Sequence, residues 1–293
     1  MASANLSPAA LLWSEFRRQR RRLVEPAKFV RHPKQWPDTG LFAAWLGHST
    51  VLIKIDGITI LTDPILGDRC GFGWAGVTVG FKRFVAPALR HVSDFPRIDV
   101  ILLSHAHLDH FDRPTLRKFE NRSTTVVTSV RTSDLLRPSR YRAVHELAWG
   151  ERILHGGVSI RAFPVKHWGA RMHRDTFRGY NGYVVETAHH RVVFGGDTAY
   201  TETFRPLKSA RPVNLAILPI GAYDPWIAVH CNPEQAMRMG NDCGAEFLLP
   251  LHHRTFQLSR EPFDEPIERF LAAAGSATYR VALTEIGQEW GMT

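Results

Sequence analysis

The chain has 293 residues, of which 44% are hydrophobic and 22% are charged, and its formal net charge is +9. These proportions are ordinary for a globular protein with a substantial core, and no segment approaches the roughly 18 uninterrupted apolar residues of a membrane-spanning helix. The three cysteines, Cys70, Cys231 and Cys243, are odd in number and widely spaced. This pattern indicates reduced thiols in a cytoplasmic protein and argues against a disulfide framework.

The excess positive charge lies in the first 34 residues. They contain eight Arg or Lys residues and two Glu residues, so this N-terminal arm accounts for +6 of the total of +9. The rest of the chain is therefore not a strongly basic nucleic-acid binder. Residues 11–22 fit two interpretations: a short basic amphipathic helix that contacts anionic lipid or nucleic acid, or a solvated and partly frayed extension. Because the basic residues follow the apolar ones, we do not expect a secretory signal.

A Pro-rich lead-in reaches residue 40, and short strands are predicted after it at 41–45, 51–55 and 58–61. An Asp-Gly pair joins the second and third of these strands, which predicts a hairpin. Residues 65–95 are rich in Gly, Phe and Pro and show no clear period. We expect a long apolar loop there, and beside an active site such a loop would serve as a substrate lid.

A cluster of candidate metal ligands follows the next predicted strand, at 99–103. The motif Ser104-His105-Ala106-His107-Leu108-Asp109-His110 packs three imidazoles and a carboxylate into six positions. The apolar residues before it read as a buried strand, so the cluster begins where that strand ends. Neutral imidazole nitrogens and carboxylate oxygens are the ligands that zinc and similar divalent ions prefer. The motif therefore predicts a metal site.

The remaining chain alternates between predicted strands and helices. A helix is predicted from its cap, Asp112, and a second begins at the capping box Asn232-Pro233-Glu234-Gln235. A third covers 266–274, with Asp264 as its cap and Gly275 after its end. The strands are predicted at 124–128, 143–147, 158–164, 182–186, 191–194, 214–218 and 246–251. Two series of strands, each followed by helices, favour two sheets packed face to face with helices outside, in one α/β domain.

Four more candidate ligands come shortly after predicted strands: His167, Asp197, His252 and His253. Side chains at strand ends from several parts of a chain can meet at one rim of a rigid scaffold. Gly195-Gly196 precedes Asp197 and would let the backbone approach an ion closely. We therefore expect these residues to join the His-rich motif.

With these residues the sequence resembles the metallo-β-lactamase superfamily of dinuclear metal hydrolases. The motif at 105–110, His167, Asp197 and His252 match the superfamily's ligand motifs in order and in approximate spacing. Between about residues 41 and 270, further motifs resemble the branch that contains N-acylphosphatidylethanolamine phospholipase D and the ascorbate-phosphate lactonases. These motifs are Trp45-Leu46-Gly47-His48-Ser49-Thr50, Leu61-Thr62-Asp63-Pro64, Lys166-His167-Trp168, Gly196-Asp197-Thr198, Leu218-Pro219-Ile220-Gly221-Ala222-Tyr223 and His230-Cys231-Asn232-Pro233-Glu234-Gln235-Ala236.

The resemblance implies the four-layer αββα sandwich of that superfamily, with residues 1–40 as an arm and lead-in and residues 41–293 as the catalytic domain. It also implies two Zn²⁺ ions, with Mn²⁺ or Fe as alternatives. A hydroxide shared by two such ions is a nucleophile at neutral pH, and the ions neutralise charge on the attacked oxygen. The implied ligands are His105, His107 and His167 for one ion, Asp109, His110 and His252 for the other, and Asp197 as a bridge.

The resemblance supplies two catalytic candidates: Asp109, as a ligand in the reacting centre, and His230, as an acid or a substrate-orienting group. Asp63 could orient a ligand imidazole from behind. His48 lies within a motif of the branch, and two interpretations stay open for it. It is either a residue of the site or part of a satisfied turn near the site.

One segment departs from the branch, whose members read His-Trp-Gly-Thr-Phe where this chain has His252-His253-Arg254-Thr255-Phe256. Strand alternation predicts that His253 lies at the rim of the site. Arg254 adds a cation that would favour an anionic group on the substrate. Among the aromatic residues near strand ends, Trp168 and Tyr223 are the expected pocket residues.

Three functions are compatible with these features. The first is a dinuclear, zinc-dependent phosphodiesterase, similar to phospholipase D, that acts on a small molecule or a phospholipid, with the arm in peripheral contact with an anionic membrane. The second keeps the site and hydrolyses a lactone or another cyclic ester. The third is a non-catalytic binding or regulatory protein that contains metal. Complete ligation of two ions argues against the third, because structural sites are more often closed four-ligand sites.

Overall fold

The computed structural model describes residues 7–29, 32–75, 77–172 and 174–293, so residues 1–6 and 30–31 of the arm lie outside it. The α-helices of the described residues are α1 (Pro8–Arg18), α2 (Arg113–Lys118), α3 (Pro233–Asp242) and α4 (Glu265–Ala274). Short 3₁₀ helices cover Pro33–Gln35, Val92–Asp94, Ser133–Leu135, Pro138–Arg140, Glu202–Leu207 and Gly275–Arg280. Within the described ranges, none of the helices has the length and apolar character to cross a membrane.

The strands of the described residues fall into two large sheets and one hairpin. In chain order they are β1 (Leu41–Gly47), β2 (Thr50–Ile55), β3 (Ile58–Thr62), β4 (Arg69–Trp74), β5 (Val77–Lys82), β6 (Val100–Leu102), β7 (Thr125–Ser129), β8 (Ala143–Leu147), β9 (Arg152–His155), β10 (Val158–Phe163), β11 (Gly182–Glu186), β12 (Arg191–Phe194), β13 (Val213–Pro219), β14 (Ala245–Leu251) and β15 (Glu289–Met292).

The two large sheets each contain a parallel part that ends at a common edge. In hydrogen-bonded order the first sheet is β15-β1-β2-β3-β6-β7-β8, and the second is β14-β13-β12-β11-β10-β9. Strands β3, β6, β7 and β8 run parallel in the first sheet, as do β12, β13 and β14 in the second. Parallel strands end on the same side, so the loops that follow them gather there.

The two sheets pack face to face through one apolar layer, in which Trp45 and Ile60 of the first sheet meet Phe194 of the second. Helix α2 covers the outer face of the first sheet through Leu116. Helices α3 and α4 cover the outer face of the second sheet, where Met239 is fully buried. The order helix, sheet, sheet, helix is the four-layer αββα sandwich, so the predicted fold is confirmed.

Two of the three predicted helix caps are present. Asp112 accepts a hydrogen bond from the first turn of α2, and Asn232 and Gln235 form a complete capping box at the start of α3. The third prediction is wrong in its mechanism. Asp264 stands at the start of α4 but makes no side-chain cap, and its carboxylate instead accepts a hydrogen bond from Arg254 Nε at 2.7 Å.

The segment predicted as a long loop, 65–95, contains the hairpin β4–β5, so that prediction is wrong in part. Gly71 and Gly80 face each other across the hairpin with φ of +156° and +154°. A Cβ atom at Gly71 would lie 1.9 Å from the carbonyl oxygen of Val79, a distance that no side chain tolerates. Glycine permits this close approach of the two strands. Because glycine has no side chain, its frequency here also hides the alternation of apolar and polar residues by which a strand is recognised in a sequence.

Helix α1 packs against this hairpin. Gln19, directly after α1, is 3% exposed and accepts a hydrogen bond from the backbone N–H of Lys82 in β5 at 2.7 Å. The rings of Trp13 and Trp74 meet edge to face with centroids 5.4 Å apart. Residues 8–18 of the arm are therefore a packed helix and not a frayed extension, while contact of that helix with lipid or nucleic acid stays a prediction.

The sequence pattern also misses β9 and β15, each at the edge of a large sheet. Both are four residues long, and neither contains a fully buried residue. Leu154, one of the two aliphatic side chains of β9, is 75% exposed. Short edge strands of this kind bury too little apolar surface to show the period of two that identifies a strand.

Candidate metal centre

The predicted ligands meet at the edge where the parallel strands of both sheets end. Strand β6 leads into the His-rich motif at 104–110. In the second sheet, β10, β12 and β14 lead to His167, Asp197 and His252. The structure brings all seven predicted ligand side chains together here, in two neighbouring groups that share Asp197.

The first group consists of His105, His107 and His167. The distance from His107 Nδ1 to His105 Nε2 is 2.8 Å, and to His167 Nε2 it is 3.2 Å. His105 Nδ1 lies 2.8 Å from Ser104 Oγ, and His167 Nδ1–H donates to the carbonyl of Val229 at 2.9 Å. These contacts place the imidazole protons on the far nitrogens, so the Nε2 lone pairs of His105 and His167 face the centre.

The second group consists of Asp109, His110 and His252. Asp109 Oδ2 lies 3.4 Å from His110 Nε2 and 3.6 Å from His252 Nε2. Asp197 Oδ2 lies 3.1 Å and 3.2 Å from the same two nitrogens. Two carboxylates and two imidazoles thus surround one point, and such a mixed set suits a divalent cation.

Asp197 also faces the first group. Its Oδ2 lies 4.0 Å from His105 Nε2 and 3.9 Å from His167 Nε2. Two ligands of a tetrahedral zinc ion, each about 2.0–2.1 Å from the metal, are about 3.3–3.4 Å apart. The separations in both groups bracket that value. The residues therefore fit two ions with Asp197 between them.

Buried polar atoms without a hydrogen-bond partner are concentrated at this point. They include His110 Nε2, His252 Nε2, Asp197 Oδ1 and His230 Nδ1. Buried polar groups are nearly always paired, because each unpaired one costs about 1–3 kcal/mol. Imidazole and carboxylate atoms that face one another without partners are what a cation site requires.

The charges of the two groups differ. Burial alone would raise the pKa values of Asp109 and Asp197, but the neighbouring imidazoles of His110 and His252 together outweigh it and hold both pKa values well below their usual range. Against the opposing effect of burial, the carboxylates raise the pKa of His252 to about 9. In the first group, burial lowers the pKa of His107 to about 3. The first group thus offers neutral imidazoles, and the second offers two ionised carboxylates whose charge the protonated His110 and His252 balance. A metal ion bound there would displace those protons.

Hydrogen bonds behind the ligands fix their orientation. Asp63, which is fully buried, accepts bonds from the backbone N–H of Ser104 at 2.7 Å and from its hydroxyl at 2.5 Å. The same carboxylate accepts from His110 Nδ1–H at 2.8 Å, which leaves His110 Nε2 free to face the centre. The contact expected between Asp63 and a ligand imidazole is therefore present. Such partners hold the tautomer and the ring of a metal ligand in place.

His48 lies in the turn between β1 and β2, and its side chain contacts a ligand of the site. Its Nε2 lies 2.9 Å from Asp109 Oδ2, and its carbonyl accepts a hydrogen bond from the backbone N–H of His252 at 3.2 Å. With Asp109, His110 and His252 it forms a group whose ligand atoms could hold one ion. The side chain is 1% exposed, and burial lowers its pKa to about 3.

His230, the second catalytic candidate, lies beside the ligands. Its Nδ1 is 3.9 Å from Asp197 Oδ2, and its ring centroid is 5.1 Å from that of His167. Burial lowers the pKa of His230 to about 3, so the imidazole is neutral at physiological pH. A neutral imidazole can donate or accept a hydrogen bond without changing its charge.

A cavity of about 270 Å³ opens over the ligands. His107, Asp109, Asp197, His230 and His252 contribute to its floor, and most of the remaining lining is apolar. The apolar lining includes Leu12, Cys70, Phe81, Leu108, Trp168, Trp226, Val229 and Leu258.

Because Leu12 belongs to α1, and Cys70 and Phe81 belong to the hairpin, we call α1 and β4–β5 together the outer wall of the pocket. The sequence pattern did not predict that the arm contacts the site. The apolar residues within 11–16 were the feature that could have indicated it.

The expectations for pocket aromatics are met in part. Trp168 lines the pocket, as predicted. Tyr223 does not: it is 7% exposed, and its hydroxyl donates a hydrogen bond to Glu265 Oε1 at 2.7 Å. Trp226, three residues further along, takes that place in the lining and is 53% exposed.

The two residues that depart from the branch are also placed differently from the expectation. His253 is 3% exposed and packs on the ring of Trp45 with centroids 4.6 Å apart, so it is a core residue and does not lie at the rim. Arg254 donates to Asp264 at 2.7 Å and to Glu285 at 2.6 Å. Its charge is therefore neutralised, and it does not line the catalytic pocket.

Comparisons with known proteins agree with this architecture. A family model described as a beta-lactamase superfamily domain matches residues 59–253, a range that includes all the predicted ligands. An uncharacterized protein of Mycobacterium tuberculosis is 30% identical over 98% of this chain and 82% of its own length. An N-acyl-phosphatidylethanolamine-hydrolyzing phospholipase D of Caenorhabditis elegans is 29% identical over 86% of this chain and 76% of its own length.

Among solved structures, a metallo hydrolase from the archaeon Ignicoccus hospitalis is similar with a TM-score of 0.65 and 20% sequence identity. The likeness covers 87% of this chain and 99% of the archaeal one. At this level of identity the comparison concerns the fold, and it agrees with the four-layer sandwich.

Proposed function

Because this chain belongs to the metallo-β-lactamase superfamily of metal-dependent hydrolases, we propose that it is a dinuclear zinc phosphodiesterase, similar to phospholipase D. The observation that carries the proposal is the pair of ligand groups that share Asp197 Oδ2 beneath an apolar pocket. The relative from Caenorhabditis elegans, named for the hydrolysis of a phospholipid, supports the choice of bond.

In this proposal each ligand group holds one ion. When bound, the pair would supply an activated water and neutralise charge on the attacked phosphoryl oxygen. The ligands would be His105, His107 and His167 for the first ion, Asp109, His110 and His252 for the second, and Asp197 for both.

The chain's own residues orient these groups and the substrate. Asp63 and Ser104 keep the far nitrogens of His110 and His105 engaged, so that their Nε2 atoms stay directed at the centre. His230 lies at the pocket floor as a neutral imidazole. This favours the orienting role for His230, as a hydrogen-bond partner of a substrate oxygen, over the role of an acid.

The lining of the pocket bears on the substrate class. Leu12, Phe81, Trp168 and Trp226 would contact whatever lies above the metal ligands. Apolar walls gain free energy from an apolar chain, roughly 0.8 kcal/mol for each CH₂ group buried, and gain little from a small polar ring. A phosphodiester that carries an acyl or alkyl chain therefore suits the pocket better than an ascorbate-like lactone.

We also propose that the arm approaches an anionic membrane from which a lipid substrate is taken. The exposed residues Arg17, Arg18 and Arg20 follow the apolar part of α1, and Trp74 next to it is 58% exposed. Basic side chains beside exposed aromatic ones are typical of surfaces that bind the membrane interface.

The test of the enzymatic proposal is metal analysis combined with a substrate comparison on one preparation. We expect about two zinc ions per chain and hydrolysis of bis(p-nitrophenyl) phosphate and of a phospholipid diester. Hydrolysis of lactones alone would replace the phosphodiesterase with the lactonase alternative. Metal far below two ions per chain would contradict both.

A further inference from the structure

One cationic side chain of the pocket, that of Arg171, has no role in the function proposed above. Arg171 lines the pocket together with His107, Asp109 and His230. Within the ranges that the structure describes, no carboxylate oxygen lies within 4.0 Å of its guanidinium. The residue follows the ligand His167 by four positions, in the same loop.

The guanidinium is fixed relative to the metal ligands. Its Nη1 donates to the carbonyl oxygens of Ala106 at 3.2 Å and Phe111 at 2.8 Å. Ala106 lies between two ligands of the His-rich motif, and Phe111 follows the last of them. Arg171 therefore connects the two ligand-bearing loops and holds its charge at a set position beside the centre.

Two other arginines show what a purely structural role looks like in this protein. Arg83 is fully buried and uses all three nitrogens, Nε, Nη1 and Nη2, on backbone carbonyls. Arg178 is paired with the carboxylates of Asp134 and Asp175. Arg171 differs from both, because only its Nη1 has a hydrogen-bond partner among the described residues; its guanidinium carbon also lies 5.8 Å from the ring centroid of Phe111.

The remaining donors of Arg171, Nε–H and Nη2–H₂, have no hydrogen-bond partner among the described residues and are available to a ligand. Burial lowers the pKa of Arg171 to about 10, so the side chain stays charged at neutral pH. A largely buried cation is costly unless an anion or a set of hydrogen bonds compensates it. A free edge with several parallel N–H donors matches the oxygens of a phosphate or carboxylate.

We propose that Arg171 is a specificity residue that binds an oxyanion of the substrate beside the metal ligands. It gives the pocket a preference for anionic amphiphiles over neutral esters and lactones of the same shape. This inference rests on the proposed hydrolase function and narrows its substrate class. It also assigns to Arg171 the role that the sequence had indicated for Arg254, whose charge is taken up by two carboxylates.

The experiment compares two probes of equal size on the zinc-loaded enzyme, neither of which contains an ester bond that a phosphodiesterase could hydrolyse. Methyl(octyl)phosphinate carries one negative charge, and dimethyl(octyl)phosphine oxide is neutral. Titration calorimetry gives a Kd for each, and the ratio of the two values removes the contribution of the alkyl chain. Charge-assisted hydrogen bonds are worth roughly ten-fold or more in affinity, so we expect Arg171→Met to reduce the preference for the anion about ten-fold.

Three further variants complete the design. Arg171→Lys keeps the charge and should recover part of the preference. Arg171→Gln keeps an N–H donor for the two carbonyls without the charge, and replaces Arg171→Met if that variant does not fold or loses zinc. Arg174→Met removes an exposed arginine of the same loop and should leave the ratio unchanged.

The inference is overturned if folded, zinc-loaded Arg171→Met or Arg171→Gln keeps the wild-type ratio, since Arg171 would then only connect the loops. It is equally overturned if Arg174→Met lowers the ratio as much, because the effect would then be one of general charge. Calorimetry does not depend on turnover. Absence of phosphodiester hydrolysis would therefore count against the proposed function and leave the binding result intact.

Discussion

The floor and the outer wall of the pocket are built in different ways. The floor consists of His and Asp side chains at the ends of strands from two packed sheets, with partners such as Asp63 buried behind them. The outer wall consists of α1 and the hairpin β4–β5, which stand outside both sheets and are joined through Gln19 and the pair Trp13–Trp74.

The difference separates chemistry from selection of the substrate. Several floor residues are oriented by buried hydrogen bonds, as His110 is by Asp63 and His105 by Ser104, so a change there alters the metal centre. Wall residues such as Leu12 touch the cavity through apolar surface and stand on a partly exposed helix. We therefore expect changes in the floor to abolish activity on every substrate, and changes in the wall to alter the preference among substrates. The following predictions test that division.

The largest effect is expected from Asp197→Ala. Its Oδ2 faces both ligand groups, so its loss removes the shared ligand and leaves four imidazoles without a common anion. We expect less than one firmly bound zinc per chain and loss of hydrolysis on all substrates, measured by metal analysis and a chromogenic diester assay. Retention of about two zinc ions would show that Asp197 is not a bridge.

The next effect is expected from Asp63→Asn, which weakens the hydrogen bonds behind His110 and Ser104. Partners of this kind typically contribute 10–100-fold to metal affinity or activity, and we expect a loss of about that size in a zinc competition titration. Asp56→Asn is the matched control. Asp56 also accepts from an imidazole, His190 Nδ1 at 3.0 Å, but lies at the opposite end of β3. Equal zinc affinities of the two variants would contradict the prediction.

A smaller and selective effect is expected from Leu12→Ala in the outer wall. Removing about three buried carbons costs up to roughly 2 kcal/mol, which corresponds to about 3–30-fold in KM for a long-chain diester. We expect a weaker change for a short-chain diester, with zinc content unchanged. Leu23→Ala, on the same arm but 80% exposed and outside the pocket lining, is the control. An equal change in KM for short-chain and long-chain diesters would show that Leu12 does not select for chain length, and it would contradict the prediction.

The smallest effect concerns membrane contact. Trp74→Ala should reduce binding to vesicles of phosphatidylcholine and phosphatidylglycerol about 3–10-fold, measured by co-sedimentation, because an interfacial aromatic side chain is lost. Tyr279→Ala removes another exposed aromatic residue, 77% exposed and outside the outer wall, and should bind as wild type does. Wild-type protein that ignores these vesicles altogether would refute the proposed membrane contact.

The floor could be predicted from the sequence because its signals are local. Each ligand follows a short apolar run, and His105 to His110 lie in one unbroken motif. Parallel strands then bring their ends to one edge, which requires no knowledge of individual contacts. The sequence did not predict where individual side chains point. His253 and Arg254 stand next to a ligand in sequence, yet one packs into the core and the other turns to two carboxylates.

The outer wall could not be predicted because its signals are neither local nor periodic. Gln19 accepts its hydrogen bond from Lys82, which is 63 positions further along the chain and beyond the range of local sequence patterns. Gly71 and Gly80 allow the hairpin strands to approach closely and also hide their alternation. Basic residues dominate the sequence of the arm, although its apolar residues decide where it packs.

The position of the metal centre has a mechanical consequence. His105 to His110 extend from the first sheet, while His167, Asp197 and His252 extend from the second. Ions held by both sets would fasten the two halves of the sandwich at their open edge, much as a cross-link does. Zinc would then stabilise the folded state as well as support catalysis, and chelation would loosen the seam between the sheets before either sheet unravels.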